Sequence, residues 1–244
     1  MKKTLVLAAL LVGTVSAQAA FVPSDDTYAI INIPIDAGMN AVGISLLPMP
    51  GDTDAVQNIV LPEGLTSADA LSDADQLNVF NGTGYTVYWL NNATTPPTWY
   101  TNNLPSSPSV APGNAMWIKA KTGGKSVYQI GKIASDATRS VSLKAGNNFI
   151  ANPFPADLNL TNVNWTAVAA ENKFTISTAD LIRIWTGAGY KTLMYIEGSG
   201  ETTGWYDANT YKLAKEIPAG EGFWFFGRNL AEPGTVSVAN PFVQ

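Results

Sequence analysis

Hydrophobic and polar residues alternate over many short stretches of this 244-residue chain, which is the pattern of half-buried β-strands. Ile31, Ile33 and Ile35 would share one strand face, and Val141 and Leu143 repeat that pattern further along the chain. Regular helical periodicity is rare. The pattern therefore predicts an all-β fold with a few short helical turns, one of them capped by Ser67.

Two glycine-containing loops, at residues 81–84 and 186–189, divide these stretches into hairpins. Glycine supplies the positive φ angles that tight hairpin turns require. After each loop, residues 85–90 and 190–196 are rich in aromatic and β-branched side chains, as expected for the returning strand. Residues 126–130 and 235–238 are predicted to form closing strands.

The chain contains the same blocks twice, at offsets of 105 to 108 residues. A period of this length corresponds to a small domain rather than to one unit of a solenoid. The sequence therefore predicts two tandem pseudo-symmetric β-sandwich or barrel-like repeats, at residues 21–134 and 135–244. The matching blocks are AGMN at 37–40 with AGNN at 145–148, DQLNVFNGTGY at 75–85 with DLIRIWTGAGY at 180–190, WY at 99–100 with WY at 205–206, and PGNAMWI at 112–118 with AGEGFWF at 219–225.

Residues 1–20 have the features of a secretory signal peptide. Lys2 and Lys3 precede a short apolar stretch, and Ala17-Gln18-Ala19 matches a small-residue cleavage site. The apolar stretch is shorter than the roughly 20 residues of a membrane-spanning helix. We expect an exported protein without a membrane span in its mature chain, located outside the cell, on the cell surface or in the periplasm.

Charge and composition exclude several classes of function. Without Lys2 and Lys3 the chain has 12 basic and 19 acidic residues, a formal charge of −7 that disfavours nucleic acid as a partner. It contains no Cys and no His. A Ser-His-Asp triad, a Cys nucleophile and a Cys/His zinc site are therefore impossible. The sequence predicts no catalytic residue, no metal site and no cofactor.

Carboxylates are the remaining candidates for chemistry. Asp75 and Asp180 occupy the same place in both repeats, but each precedes a strand, where Asp is a common turn residue. Asp69, Asp73 and Asp75 lie close together in sequence without matching the usual calcium-binding loop. We interpret these residues as structural or solvated, and whether the acidic group binds calcium stays open.

Aromatic residues that differ between the repeats are better candidates for a binding or assembly surface. Trp89 and Trp165 have no aromatic counterpart in the other repeat, and the strand containing Trp224 and Phe226 is apolar on both faces. Such a strand must be covered on both sides, by the first repeat or by another molecule. Aromatics that occur in both repeats are interpreted as core or corner residues of the shared fold.

The second repeat resembles a module that recurs in exported bacterial β-repeat proteins without a known activity. The resemblance rests on the stretch GNNFIANPFP at 146–155, on GWY at 204–206 and on PAGEGFW at 218–224, and it extends more loosely over the first repeat. It implies a β-rich exported protein and transfers no catalytic residue.

The leading hypothesis is a non-enzymatic secreted or cell-surface structural or interaction protein, one that associates with itself or with another surface protein. The alternative is a carbohydrate-binding module or adhesin that stacks sugars on exposed aromatic side chains. A glycosidase or lyase would need two carboxylates facing each other across a groove, and the sequence shows no such pair.

Overall fold

The computed structural model describes residues 26–62, 64–165, 176–196, 203–228, 230 and 234–243. The proposed signal peptide lies outside these residues. The described chain is almost entirely β-structure, as the alternation of polar and apolar residues predicts. Its one α-helix is the single turn α1 (Val56–Ile59). The prediction of a helical turn capped by Ser67 is wrong, because residues 69–74 form bends and turns instead.

The first repeat contains two antiparallel sheets. The small sheet has the order β1-β9-β3 and the large sheet the order β2-β8-β4-β5-β6-β7. The strands are β1 (Tyr28–Ile35), β2 (Gly38–Gly43), β3 (Val60–Leu61), β4 (Gln76–Phe80), β5 (Tyr85–Asn91), β6 (Thr98–Thr101), β7 (Leu104–Pro105), β8 (Ala115–Ala120) and β9 (Lys125–Lys132).

The second repeat has the same arrangement. Its small sheet has the order β10-β19-β13, its large sheet the order β11-β18-β14-β15-β16, and β12 pairs with β17. The strands are β10 (Thr138–Leu143), β11 (Gly146–Ala151), β12 (Leu158–Asn159), β13 (Val163–Asn164), β14 (Leu181–Trp185), β15 (Tyr190–Ile196), β16 (Gly204–Asp207), β17 (Glu216–Ile217), β18 (Gly222–Gly227) and β19 (Gly234–Ala239).

Each repeat is a sandwich with its own hydrophobic core between the small and the large sheet. In the first repeat Ile35 and Val127 of the small sheet belong to the same buried cluster as Met116 of the large sheet. In the second repeat Val236 packs in one cluster with Phe223. None of the sheets closes on itself in the part of the chain that is described. Of the two architectures expected from the sequence, the sandwich is therefore the one observed.

The motifs that recur in the sequence serve the same structural purpose in both repeats. The Asn40 amide bonds the backbone N–H and C=O of Asp36, and the Asn148 amide bonds those of Lys144. Each Asn thereby closes the tight turn between the first two strands of its repeat. Gly38 (φ 91°) lies inside the first of these turns, where the left-handed backbone favours glycine.

Candidate binding site at the junction of the repeats

The two repeats meet through backbone contacts that obey a pseudo-two-fold symmetry. The Gly43 amide donates to the Gly220 carbonyl at 2.8 Å, and the Ala151 amide donates to the Gly113 carbonyl at 2.9 Å. Gly43 corresponds to Ala151 and Gly113 to Gly220 in the internal repeat, so each bond is the symmetry mate of the other. The repeats therefore contact each other as two subunits of a symmetric dimer do.

Small residues allow this close approach, and they complement one another across the pseudo-two-fold axis. Gly43 faces Ala151, and a Cβ atom at Gly43 would collide with the Ala151 methyl. Ala115 faces Gly222, where a Cβ atom would lie 2.6 Å from the Ala115 Cβ. Each pair consists of equivalent positions in the two repeats, with glycine on one side and alanine on the other. At each pair the space between the repeats is therefore large enough for the side chain of one alanine but not of two.

Aromatic side chains fill the rest of the junction. Trp117 of the first repeat stacks on Phe149 of the second at 5.0 Å between ring centroids, and it meets Trp185 edge to face at 5.8 Å. The Trp224 ring stacks on the Phe149 ring at 4.6 Å between centroids, and it meets the Phe80 ring edge to face at 4.9 Å. Edge-to-face and offset stacked pairs add stability beyond the burial of area.

A groove of about 390 Å³ opens beside this cluster, and we call it the aromatic groove. Tyr85 and Tyr190 stand at the groove with 45% and 46% of their surface exposed. They are equivalent residues of the two repeats, so the groove takes a side chain from each. Its lining consists of Met39, Gln76, Asn78, Tyr85, Val87, Trp117, Lys119, Trp185 and Tyr190.

Hydrogen bonds hold the aromatic walls of the groove in place. The Trp117 indole donates to the Tyr85 hydroxyl at 3.1 Å, and the Trp185 indole donates to the Met39 carbonyl at 2.7 Å. Tyr190 packs against Trp185 at 5.1 Å. Because both indole N–H groups are already bonded within the protein, the rings lose little freedom when a ligand arrives.

Burial raises the pKa of the Tyr85 hydroxyl above its ordinary value. The hydrogen bond from Trp117 opposes this rise and the nearby Tyr190 hydroxyl adds to it. The hydroxyl therefore stays protonated at neutral pH. Since it accepts its hydrogen bond from Trp117, its own proton can point toward a ligand.

Polar side chains lie along the same groove. Asn78 is only 9% exposed, yet its amide makes no hydrogen bond with any residue that the structure describes. Its amide atoms keep access to solvent in the groove, where they can bond a ligand hydroxyl. Gln76 and the exposed ammonium group of Lys119 flank it.

Trp89 and Trp165 do not contribute to an exposed surface, so the expectation of such a surface is wrong for both. Trp89 is 5% exposed and packs near Tyr100 in the first repeat. Trp165 is 6% exposed; its indole donates to the Leu160 carbonyl, and its ring meets Trp205 in the second core. Burying a large side chain of this kind stabilises the fold by about 1.5–3 kcal/mol, which accounts for their presence.

Trp224 and Phe226 are half-buried in two different environments. Trp224 packs against Phe80 of the first repeat. Of the two alternatives that the sequence leaves for this strand, covering by the first repeat is therefore the one observed at Trp224. Phe226 packs against a small cluster around Leu181, with the Arg228 guanidinium 4.9 Å above its ring. The four aromatic candidates from the sequence therefore do not share one face.

The acidic candidates are tied into the fold. Asp75 is buried and accepts hydrogen bonds from the backbone N–H groups of Thr66 and Lys121, and it forms an ion pair with Lys125 at 2.7 Å. Asp180 accepts from the backbone of Arg228, the counterpart of Lys121. Both residues therefore brace the end of a central strand. Within the described ranges no group of three acidic side chains is arranged to hold a metal ion.

Sequence reasoning did not select the residues of the aromatic groove. Recurrence in both repeats favours core or corner positions for Tyr85, Tyr190 and Trp117; Trp117 is indeed buried, but the two tyrosines are exposed. A usable signal was the position of the two tyrosines directly after glycine loops, since side chains at hairpin ends are often exposed. Trp185, which replaces Phe80 of the first repeat, was a second signal.

No family model, no curated protein and no solved structure matches this chain. In the described part of the chain, no helix combines the length and the hydropathy needed to cross a bilayer.

Proposed function

We propose that this chain is an exported, non-catalytic binding protein whose aromatic groove holds a saccharide. The observation that carries the proposal is a groove flanked by two exposed tyrosines, with the unbonded side-chain amide of Asn78 in its lining. The predicted signal peptide supports export to the cell surface or the surrounding medium. The proposal joins the interaction role and the carbohydrate-binding role that the sequence suggests.

A saccharide fits this groove better than a purely apolar ligand. The CH face of a pyranose ring buries well against an aromatic ring, and its hydroxyls need hydrogen-bonding partners at the edge. Tyr190 offers the ring face, while Asn78, Gln76 and the Tyr85 hydroxyl offer polar atoms. The groove volume of about 390 Å³ is near the lower end of the range for small-molecule sites.

The lining also supports binding rather than hydrolysis. Glycoside hydrolysis uses two carboxyl groups on either side of the scissile bond. None of the nine side chains that line the groove is a carboxylate. Asp75, which the repeat conserves as Asp180, is engaged with Lys125 and backbone amides inside the fold.

Tryptophan emission is the appropriate assay, because Trp117 and Trp185 both border the groove. The mature protein is titrated with a panel of soluble oligosaccharides, and at least one should change the emission saturably. Tyr190→Ala removes an exposed stacking face and should weaken that ligand about tenfold, equivalent to about 1.4 kcal/mol. Tyr211→Ala is the matched control, since Tyr211 is also exposed but does not line the groove.

Two results would contradict the proposal. One is emission that does not change with any member of a broad panel. The other is a ligand whose affinity falls equally in the Tyr190→Ala and Tyr211→Ala variants, because binding would then lie outside the groove.

Self-association is a second candidate function, and strand β1 favours it. Within the described residues β1 pairs only with β9, so no strand pairs with its other edge. Ile30 on this strand is 64% exposed, whereas its counterpart in the second repeat is Thr138. An open apolar edge pairs readily with the same edge of a second copy.

Light scattering during size-exclusion chromatography tests this second candidate. Wild-type protein should form a dimer at high concentration, and Ile30→Thr, which copies the second repeat, should shift the equilibrium toward monomer. A wild-type protein that stays monomeric at the highest soluble concentration would refute self-association through β1.

A further inference from the structure

Two clefts of nearly equal volume flank the junction, and the pseudo-two-fold symmetry relates one to the other. The first measures about 420 Å³ and is bordered by the loop at residues 81–82 and by Lys144. The second measures about 410 Å³ and is bordered by the equivalent loop at residues 186–187 and by Asp36. We call them the basic cleft and the acidic cleft.

Equivalent positions in the two clefts bear opposite charges. Lys144 of the basic cleft corresponds to Asp36 of the acidic cleft, and Asn114 corresponds to Glu221. Lys144 is the one ionisable side chain in the lining of the basic cleft, while Asp36 and Glu221 are the ionisable side chains in the lining of the acidic one. The same scaffold therefore presents two different electrostatic environments.

The Lys144 ammonium group is positioned at the basic cleft without an internal counterion. It lies against Gly82, where a Cβ atom would collide with Nζ, and it stands 5.7 Å from the centroid of the Phe80 ring. It forms no ion pair with any part of the chain that the structure describes. Lys144 is exposed, so its ammonium group can meet an anion that enters the cleft from solvent, and the Phe80 ring fixes where that charge lies.

The remaining walls of the basic cleft suit a small ring. Val110, Leu143 and Ile150 form an almost fully buried apolar floor, and the exposed side chains of Ser109 and Asn114 supply polar groups at the wall. The cleft presents polar and apolar surface in about equal parts, and its volume of about 420 Å³ lies within the range of small-molecule sites.

The acidic cleft provides the contrast. Burial raises the pKa of the Glu221 carboxyl, an effect that the nearby Lys191 partly offsets. A carboxylate that is already poorly solvated would be destabilised further by a second anion. An anionic ligand is therefore expected in one cleft and not in its symmetry mate.

We propose that the basic cleft binds a carboxylate-bearing sugar of about one hexose unit, with the carboxylate at Lys144. The proposal concerns a site separate from the aromatic groove, and it stands whether or not that groove binds a saccharide. Charge distinguishes this ligand from a neutral sugar, and the ring distinguishes it from a simple carboxylate such as acetate.

An NMR titration of the full mature chain tests the proposal with three probes: glucuronate, glucose and acetate. Glucuronate should shift the backbone amide signals of Gly82 and Lys144 saturably, acetate should do so more weakly, and glucose should leave them unchanged. The signals of Gly187, in the acidic cleft, should stay in place with all three probes. Signals of Tyr190 report the aromatic groove separately, so failure of one site is distinguishable from failure of the other.

Variants of Lys144 and of other residues then test whether the positive charge of Lys144 is what binds glucuronate. Lys144→Gln should weaken glucuronate about tenfold, equivalent to about 1.4 kcal/mol, because a hydrogen bond to a charged group is lost. Lys144→Arg should retain binding. Asn114→Glu, which copies the acidic cleft, should weaken binding as well. Lys212→Gln removes one exposed lysine that lines neither the clefts nor the aromatic groove, and it should leave glucuronate affinity unchanged.

The proposal is overturned if glucose shifts Gly82 and Lys144 as strongly as glucuronate does, or if no probe shifts them. It is also overturned if Lys212→Gln weakens glucuronate as much as Lys144→Gln, because the effect would then reflect overall charge. Shifts centred on Gly187 would place the anion in the wrong cleft and overturn it equally.

Discussion

Adding one methyl group at Gly222 tests the close packing between the repeats. The new Cβ atom would lie 2.6 Å from the Ala115 Cβ, about 1 Å closer than favourable carbon contacts of about 3.5–4.0 Å. Backbone atoms of Ala41 and Val42 stand at 3.4 and 3.3 Å, so the methyl cannot turn away. The backbone at Gly222 is not left-handed, which leaves contact as the source of any loss.

Overpacking of this kind costs about 1–3 kcal/mol, so we expect Gly222→Ala to lower the free energy of unfolding by about 2 kcal/mol. For a protein of this size the melting temperature should fall by about 4–8 °C. Urea unfolding followed by tryptophan emission measures the free energy, and calorimetry measures the temperature.

The swap variant Gly222→Ala with Ala115→Gly keeps one methyl in the pair and should recover most of this loss. The coupling free energy of the double-mutant cycle is then about 2 kcal/mol, well above the value expected for independent sites. Gly189→Ala is the control, because nothing lies within 4 Å of its added methyl and its stability should change by less than about 0.5 kcal/mol. A Gly222→Ala variant as stable as the control, or a double variant that shows the sum of both losses, would refute the packing argument.

Three further variants test other parts of the account. Burial raises the pKa of Glu221 in the folded state, so ionisation of this carboxyl opposes folding. Glu221→Gln should therefore be more stable than wild type at pH 7, and the difference should vanish below about pH 4, where the carboxyl is protonated in both states. Equal stability of the two proteins at both pH values would contradict this. Asp75→Asn breaks the buried ion pair with Lys125 and should cost about 3 kcal/mol in urea unfolding, whereas a loss below 1 kcal/mol would show that the pair is dispensable. Asn148→Ala removes the amide that closes the turn at Lys144 and should cost about 1–3 kcal/mol, and an unchanged unfolding midpoint would show that the turn closes without it.

Local patterns predicted the strands and hairpins well, because the alternation of side chains is a property of a few neighbouring residues. The loop at residues 81–84 joins β4 to β5 through the bond from the Asn81 amide to the Gly84 carbonyl, and Gly82 has the expected positive φ of 103°. The equivalent loop joins β14 to β15 in the same way. The matching blocks of sequence correspond to matching strand orders because each block contains the same strands and turns.

Exposure could not be predicted in the same way, since it depends on which segments fold over a residue. Trp165 is covered by Trp205, 40 residues further along the chain, and no short window contains that contact. The aromatic groove combines Asn78 and Trp117 of the first repeat with Trp185 of the second. Its existence depends on how the repeats face each other, which the periodicity of either repeat alone does not encode.

Comparing the repeats position by position was informative, but mainly for residues other than the aromatics. The glycine and alanine pairs at 43 and 151 and at 115 and 222 differ between the repeats because they face each other. Lys144 and Asp36 differ because they belong to separate clefts. In both cases the meaning of the difference became visible only once the junction was known.

Amide hydrogen exchange at Gly43 and Ala151 tests most directly whether the two repeats form one body at this junction. Both amides donate across it, to Gly220 and Gly113, so they become accessible when the repeats separate. We predict protection equal to that of core amides such as Leu77 and Phe223, because opening the junction then requires global unfolding. Exchange of Gly43 and Ala151 many-fold faster than those core amides would show that the repeats part readily, and it would contradict a binding site built from both.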